Sequence, residues 1–513
     1  MKIRITIVVT LLMITFFGCK KDIDPQISFD SFTYDSTDPE AGTWKTVYLT
    51  SASQVPVNAP SDPTSPEYLA ELAALKSQSA NLSSSQQDKV NYWSTNGVIR
   101  WNEIARTLVA KYFLLPAPEA DGTYKWPDGT HPDQYPLFPL SSPPYSCRAY
   151  AYLSAGSFDA LISAWYYKYQ YNRLAPSNYD ASIATHLPVQ DLPSYPSEDA
   201  VLAGFARTLL TNLFPLEGAY LTQMAKDQED SRLWAGVNVT SDITAGVSLG
   251  KAIATIFIGR AKTDGMKFTI GNQAVWDSIT NANLATGQPI WQSLEIPARP
   301  MLAPNFGHVL PWNFEQSKVT TEFRLPPPPA VGTPEFQTAL DEVLEYSKHA
   351  TKEEMEIAFK WDDGTSTYTP PGHWNYIAEP YIHDARMSPV RAARVLAYMN
   401  MAIQDAGITL WDNKYYYFFP RPTNINADIK TIMGVPGFPS YPSGHSAFSG
   451  AAASVLGYFF PSSAADFEDM AQEAAMSRLY GCIHYRFDCD EGLVLGKNVG
   501  QYAISRAAAD GAQ

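Results

Sequence analysis

The sequence predicts a mostly α-helical protein built from two tandem, internally duplicated helical bundles. Two observations carry this. Apolar residues recur at helical spacing over 149–168, 199–214, 335–359, 390–406, 443–460 and 464–480, whereas strand signals are sparse. The chain also repeats itself at a fixed offset. Ser194-Tyr195-Pro196-Ser197 returns as Ser440-Tyr441-Pro442-Ser443, a shift of 246 residues. The same shift carries Phe214-Pro215 onto Phe460-Pro461, Ser231-Arg232-Leu233 onto Ser477-Arg478-Leu479, and Leu249-Gly250-Lys251 onto Leu495-Gly496-Lys497. Upstream it carries Ser142-Pro143 onto Ser388-Pro389, Arg148 onto Arg394 and Lys168 onto Lys414. Farther back, Trp101-Asn102 matches Trp374-Asn375 at a shift of 273, so the first copy holds 27 extra residues in a Pro-rich connection.

These signals divide the chain as follows: 1–19 a lipoprotein signal peptide; 20–89 a tether and irregular segment rich in Ser, Pro, Thr and Asp; 90–265 the first bundle; 266–344 a connecting segment; 345–513 the second bundle. With 513 residues, 45% of them hydrophobic, the chain is long enough to bury a large core, and its 30 Tyr, 24 Phe and 12 Trp argue against extended disorder. Net charge is −15 and no Lys/Arg run appears, which argues against nucleic acid as a partner.

The N-terminus carries Lys2 and Arg4, a short apolar run from Ile5 to Phe17, then Gly18-Cys19. The pattern resembles a bacterial lipoprotein signal, with Cys19 lipidated and becoming the mature N-terminus. The expected location is the bacterial cell envelope, at the outer membrane facing the periplasm, with the lipid as the membrane contact. No other stretch reads as long and apolar enough to span a bilayer. Cys147, Cys482 and Cys489 remain. On one continuous helix, Cys482 and Cys489 stand about 10 Å apart along the axis, too far for a bridge, so no disulfide is predicted.

The second copy concentrates the chemistry. Lys414 is followed by Arg421-Pro422, then by Ser443-Gly444-His445, then by Ser477-Arg478, His484 and Asp488. An oxyanion needs positive charge and directed donors. Lys414, Arg421 and Arg478 supply charge, the arginines with forked donors. Ser443 begins a helix whose free N–H groups face an anion, and Gly444 permits close backbone approach. Asp488, one turn beyond His484, is placed to fix its tautomer. His445 suits general acid–base work. Singly, each has a plainer reading: Lys414 and Arg421 as exposed charges, Ser443 as an N-cap, His484 as a hydrogen-bonded buried histidine. His373 and His383 also lie near the start of this bundle and read more readily as ordinary polar contacts.

In this order the residues resemble the three-part signature of the vanadium haloperoxidase and type 2 phosphatidic acid phosphatase (PAP2) superfamily, and the helical, duplicated build resembles the haloperoxidase branch. The resemblance implies Lys414, Arg421, Ser443, Gly444, Arg478 and His484 as oxyanion ligands, and His445, His484 and Asp488 as catalytic residues. Two activities share such a pocket. A haloperoxidase holds vanadate, with His484 bound to vanadium, and uses hydrogen peroxide to oxidise halide. A phosphatase needs no cofactor; His484 attacks a phosphate ester and His445 protonates the leaving group. An oxyanion-binding lipoprotein without turnover is a third reading, against which both histidines count. Trp411 and Phe438 fall where chloride-oxidising relatives carry aromatics around the halide; Trp165 and Leu192 occupy the matching places of the first copy, so packing serves equally for both. The sequence leaves the oligomeric state open.

The first copy keeps Lys168, Ser197, Arg232 and Asp242 but has Ala175, Glu198, Asp199 and Asn238 where the second has Arg421, Gly444, His445 and His484. Two carboxylates enter and both histidines leave, so this copy is expected to be catalytically dead, with Lys168 or Arg232 paired to Glu198 or Asp199.

Overall fold

The computed structural model describes residue 31 and residues 33–512. The signal peptide and Cys19 lie outside them. Among the described residues there is helix and loop and no strand.

The first bundle comprises α1 (Gly97–Tyr112), α2 (Pro143–Tyr171), α3 (Glu198–Leu213), α4 (Gly218–Trp234) and α5 (Thr240–Ala261). The second comprises α6 (Thr369–Asp384), α7 (Pro389–Tyr417), α8 (Gly444–Phe459), α9 (Ala464–Tyr480) and α10 (Arg486–Ala508). From α2 to α5, each helix starts 246 residues before its counterpart. Local chemistry sets these starts. Ser197 caps α3 and Ser443 caps α8, each hydroxyl accepting an N–H three residues on. Pro143 and Pro389 occupy the first positions of α2 and α7, where a missing N–H costs nothing.

The two bundles do not bury separate cores. The long helices α2 and α7 pack on each other, and one continuous cluster of buried residues takes in both bundles. Positions paired by the sequence offsets meet there. Asn102 donates to Asn375 Oδ1 at 2.7 Å, Asn400 donates to Ser154 Oγ at 3.0 Å, and Arg106 pairs with Glu379 at 2.6 Å. Residue meeting equivalent residue is the pattern of an interface about a local twofold.

Close packing of α5 on α3, and of α10 on α8, rests on glycine. A Cβ at Gly250 would stand 2.0 Å from the Val201 carbonyl oxygen, and one at Gly496 would stand 2.1 Å from that of Ala447. This corrects one sequence expectation. The stretch Thr240–Phe268 is long and apolar enough, by length and composition, to cross a membrane. Here Thr240–Ala261 is a bundle helix whose Gly246 and Gly250 sit against α3.

A second correction concerns the segment read as irregular. It holds helices at Pro66–Ser79 and Ser84–Trp93. Ser65 caps the first, and Ser83 with Gln86 forms a capping box on the second. Tyr68, Leu72 and Leu75 form a small core with Ile183 and Val239. The three described cysteines are buried and free.

Gly496→Ala should therefore lower the unfolding free energy by about 1–3 kcal/mol, the usual cost of overpacking. It should also impair anion binding, because Ser443 N donates to Asp488 O at 2.8 Å across the α8–α10 contact. Gly250→Ala should destabilise comparably and spare anion binding. An unchanged urea midpoint for Gly496→Ala would show that α10 does not depend on this approach.

Candidate functional site

α7, α8, α9 and the first turn of α10 converge on one buried cluster of cations. Lys414, Arg421, Ser443 and Asp488 are fully buried, Arg478 is 1% exposed and His484 is 2% exposed. The plainer reading of Lys414 and Arg421 as surface charges is thereby excluded.

Two turns of the chain aim these residues. α7 ends at Phe418 in a left-handed conformation (φ 47°), which turns the chain so that Arg421 points back under the bundle. Cys482, two residues before His484, is also left-handed (φ 59°). The matching first-copy positions are Asn172 (φ 48°) and Gly236 (φ 72°), residue types that tolerate this region. Phe418 and Cys482 do so at a cost of order 1 kcal/mol each, a strain that characteristically collects at functional sites.

The donors of the cluster rest mainly on neutral oxygens. Lys414 Nζ donates to the carbonyls of Pro439, Ser440 and Pro442 at 2.6–2.9 Å. It thus shapes the 439–442 loop before any ligand arrives. Arg421 donates through Nε and Nη2 to Phe438 O, and through Nη1 to Ile483 O at 2.8 Å. Arg478 donates to Ser477 Oγ and to the carbonyls of Ala358 and Trp361. Burial, first of all, pulls Arg421 and Arg478 down to about 10 and lowers Lys414 well below its ordinary range; Arg421 adds repulsion on Lys414.

His484 is held as the sequence implies. Its Nδ1 lies 2.8 Å from Asp488 Oδ2, and Arg421 Nη1 lies 2.9 Å from its Nε2. Asp488 also accepts from Ser440 Oγ and Tyr485 N, and burial raises it to about 6. This arrangement places the Nδ1 proton on the Asp488 side and leaves the Nε2 lone pair toward the cations. His445 lies at the floor of a cavity of about 410 Å³ that also reaches Arg478 and Phe438. Among the described residues its Nε2 has no hydrogen-bond partner; the Asp363 carboxylate is 3.7 Å away. Both histidines are depressed well below their ordinary range, by burial first and then by Arg421 and Lys414 (His484) or Arg478 and His373 (His445).

Gly444 opens α8, and a Cβ there would meet protein no closer than 3.7 Å, at Leu410. Protein packing therefore does not demand glycine at this helix start. Trp411 is 1% exposed, and its indole N–H donates to Leu302 O at 3.1 Å. It packs behind Phe438, ring centroids 5.2 Å apart, and does not line the cavity. Phe438 does, with Lys414 and Arg421 5.2 and 5.3 Å from its ring centre. A π face beside two cations accounts for an aromatic at 438 where the first copy has Leu192.

Asp363 is a functional neighbour that sequence reasoning missed. It lies 3.1 Å from His373 Nδ1 as well as near His445, and so links two histidines. His373 is thus brought to the site; His383 pairs with exposed Asp384. Only the bare His373 in the sequence hinted at this.

In the first copy each cation has its own carboxylate. Lys168 pairs with Glu198 at 2.7 Å, Arg232 with Asp199 at 3.3 Å, and Arg173 with Asp242. The remaining cavity is about 80 Å³, and Tyr34 from the N-terminal segment lines it. Its carboxylates supply beside these cations the negative charge that an anion would otherwise bring.

Residues 393–506, which contain the whole motif set from Lys414 to Asp488, match the PAP2 superfamily. No curated protein matches the sequence. Among solved structures, the chain is similar to a bacterial vanadium-dependent iodoperoxidase, with TM-score 0.58 and 20% identity, over 80% of this chain and 95% of that one. It is also similar to a bacterial vanadium-dependent chloroperoxidase in holo and apo forms, with TM-scores 0.51 and 0.52 and identities of 14% and 15%. Those alignments cover 74% of this chain and 96% and 95% of theirs. The second bundle thus carries a region that matches the PAP2 superfamily, and the chain has an all-α fold similar to that of vanadium haloperoxidases.

Vanadate fits these residues: buried cations whose donors rest on neutral oxygens, a glycine-opened helix start, and an unpartnered His445 nitrogen. An oxyanion bound there would raise the depressed histidines by supplying negative charge. The complex then holds more protons than the free protein, so binding takes up protons and affinity falls as pH rises. Calorimetry with sulfate, a tetrahedral anion that does not titrate near neutrality, in two buffers of different ionisation heat should show this uptake at about pH 6. Proton release instead would contradict the assignment.

Proposed function

We propose that this protein is a vanadium-dependent haloperoxidase that oxidises halide with hydrogen peroxide. The observation that carries the reading is the second-copy cluster: three buried cations resting mainly on backbone carbonyls, around two neutral histidines, beneath a cavity. The vanadium-dependent iodo- and chloroperoxidases among its structural neighbours support it. Lys414, Arg421, Arg478 and the first N–H groups of α8 would hold vanadate, with His484 Nε2 as the protein ligand to vanadium. Vanadate so held supplies a Lewis acid that activates hydrogen peroxide toward halide. The residues do the rest. Asp488 fixes the His484 tautomer, and Arg421 and Arg478 balance negative charge. His445, its Nε2 buried and without a hydrogen-bond partner among the described residues, accepts and returns protons beside the cavity.

A second reading rests on His484 itself. With Nδ1 held by Asp488, Nε2 is equally suited to attack phosphorus, which makes an acid phosphatase acting through phosphohistidine the alternative.

The test is halide oxidation by purified protein with peroxide, with and without vanadate, beside hydrolysis of p-nitrophenyl phosphate. The account predicts vanadate-dependent halide oxidation that phosphate inhibits. His484→Ala should abolish it; His445→Ala should slow it by roughly 100- to 10,000-fold. Asn238→Ala, at the place matching His484, should leave the rate per folded protein near the parent value. Phosphate ester hydrolysis without halide oxidation would select the alternative, and equal loss in Asn238→Ala would show that both copies serve one site.

A further inference from the structure

The 27 residues that the first copy holds in excess lie in a Pro-rich strap over 113–143. Tyr124 donates to Pro297 O at 3.0 Å and ties it to a second strap, the connecting segment over 289–302. Trp411 and Tyr415 hold that segment at Leu302 O. The first strap borders the cavity beside His445 and also covers a second cavity, of about 680 Å³, on the first bundle. Trp126 and Leu140 line both, so the strap stands between them. The second cavity reaches none of Lys414, Arg421, His445, Arg478 and His484. Neither activity considered above uses it.

Its walls are mainly apolar. Trp126, Phe138 and Leu140 of the strap line it together with Val109 of α1, Phe214 at the end of α3 and Met266 beyond α5. Its volume is typical of small-molecule sites. Its charged lining is cationic: Arg148, Lys262 and Lys267, with no Asp or Glu. Arg148 is neutralised by Asp264 at 2.6 Å. Lys262 and Lys267 are exposed and, among the described residues, neither has a carboxylate partner. Carboxylates close by in the chain are already paired, Asp128 with His131 and Glu217 with Lys111. In a chain of net charge −15, an apolar cavity with two such lysines and no acid is complementary to an anion. The matching places of the second copy hold Ala508 and Gln513, so the lysines, like the strap, belong to the first copy alone.

We propose that this cavity binds a medium-chain fatty carboxylate, its alkyl chain under the strap and its head at Lys262 and Lys267. The two halves of the site call for both halves of the ligand. A small anion would meet only two exposed lysines, which hold little in water. An alkyl chain without charge would leave the lysines unused, and a cationic head would be repelled by them. The site stands apart from the oxyanion cluster and does not rest on the haloperoxidase reading.

Calorimetric titration of the full-length protein with hexanoate, octanoate and decanoate, each kept below its micelle threshold, tests this. The parent should bind decanoate saturably, and the Kd should fall about three- to fourfold for each CH2 added, the scale of burying a methylene. The double variant Lys262→Glu, Lys267→Glu changes exposed positions and should fold as the parent does. It should raise the decanoate Kd about tenfold and abolish the weakening of binding by salt that the parent shows. Decyltrimethylammonium should bind the parent less tightly than decanoate and the double variant more tightly than the parent. The cations around His484 are the competing anchor for a carboxylate. Leu115→Glu, at a position that lines the His445 cavity and not this one, should therefore leave the decanoate Kd unchanged. No saturable binding by the parent, or undiminished binding by the double variant, overturns the proposal. So does decyltrimethylammonium binding as tightly as decanoate, or a loss of decanoate binding in Leu115→Glu.

Discussion

Charge balance inside the fold governs both halves of this molecule. Burying a cation costs several kcal/mol unless charge or hydrogen bonds compensate it. The first copy compensates with carboxylates: Glu198, Asp199 and Asp242 each meet a cation. The second copy places Gly444 and His445 where Glu198 and Asp199 stand, and its cations rest mainly on backbone carbonyls. Asp488 is engaged by His484, Ser440 and Tyr485 N. The missing negative charge is what an oxyanion would bring. One bundle plan therefore gives ion pairs in one half and buried cations without such carboxylate partners in the other.

Geometry follows the same division. The two left-handed residues that aim Arg421 and His484 are Phe418 and Cys482, whereas the first copy uses Asn172 and Gly236. At these two matched positions the second copy carries strain that the first copy avoids. The shared core makes this affordable: α2 and α7 bury each other, so a poor turn at the rim of one bundle is held by packing from both.

Much of this was legible in the sequence. The offset of 246 predicted which helices correspond, and the motif order predicted the cluster of Lys414, Arg421, Ser443, Arg478, His484 and Asp488. The substitutions at 198 and 199 predicted the ion pairs of the first copy. What escaped the reading has a common physical character. Asp363 and the straps over 289–302 and 113–143 contribute through contacts between residues far apart in sequence, without periodicity or motif; the helix Pro66–Ser79 does carry a Ser65 cap and apolar residues at helical spacing, within a segment otherwise rich in Ser and Pro. Trp411 and Lys414 were found, but their contacts, with Leu302 and with the 439–442 loop, are tertiary. No spacing rule could show that Trp411 anchors a strap.

The central claim is that anion binding belongs to the second copy because Gly444 leaves the place of a carboxylate open. Titrating phosphate into the protein tests it directly, using the parent and Gly444→Glu, which copies Glu198. A Cβ at 444 has room, so the variant should fold with an unchanged melting temperature. The account predicts one phosphate bound per parent chain and none by Gly444→Glu, its new carboxylate pairing with Lys414 as Glu198 pairs with Lys168. Two phosphates on the parent, or undiminished binding by the folded variant, would contradict it.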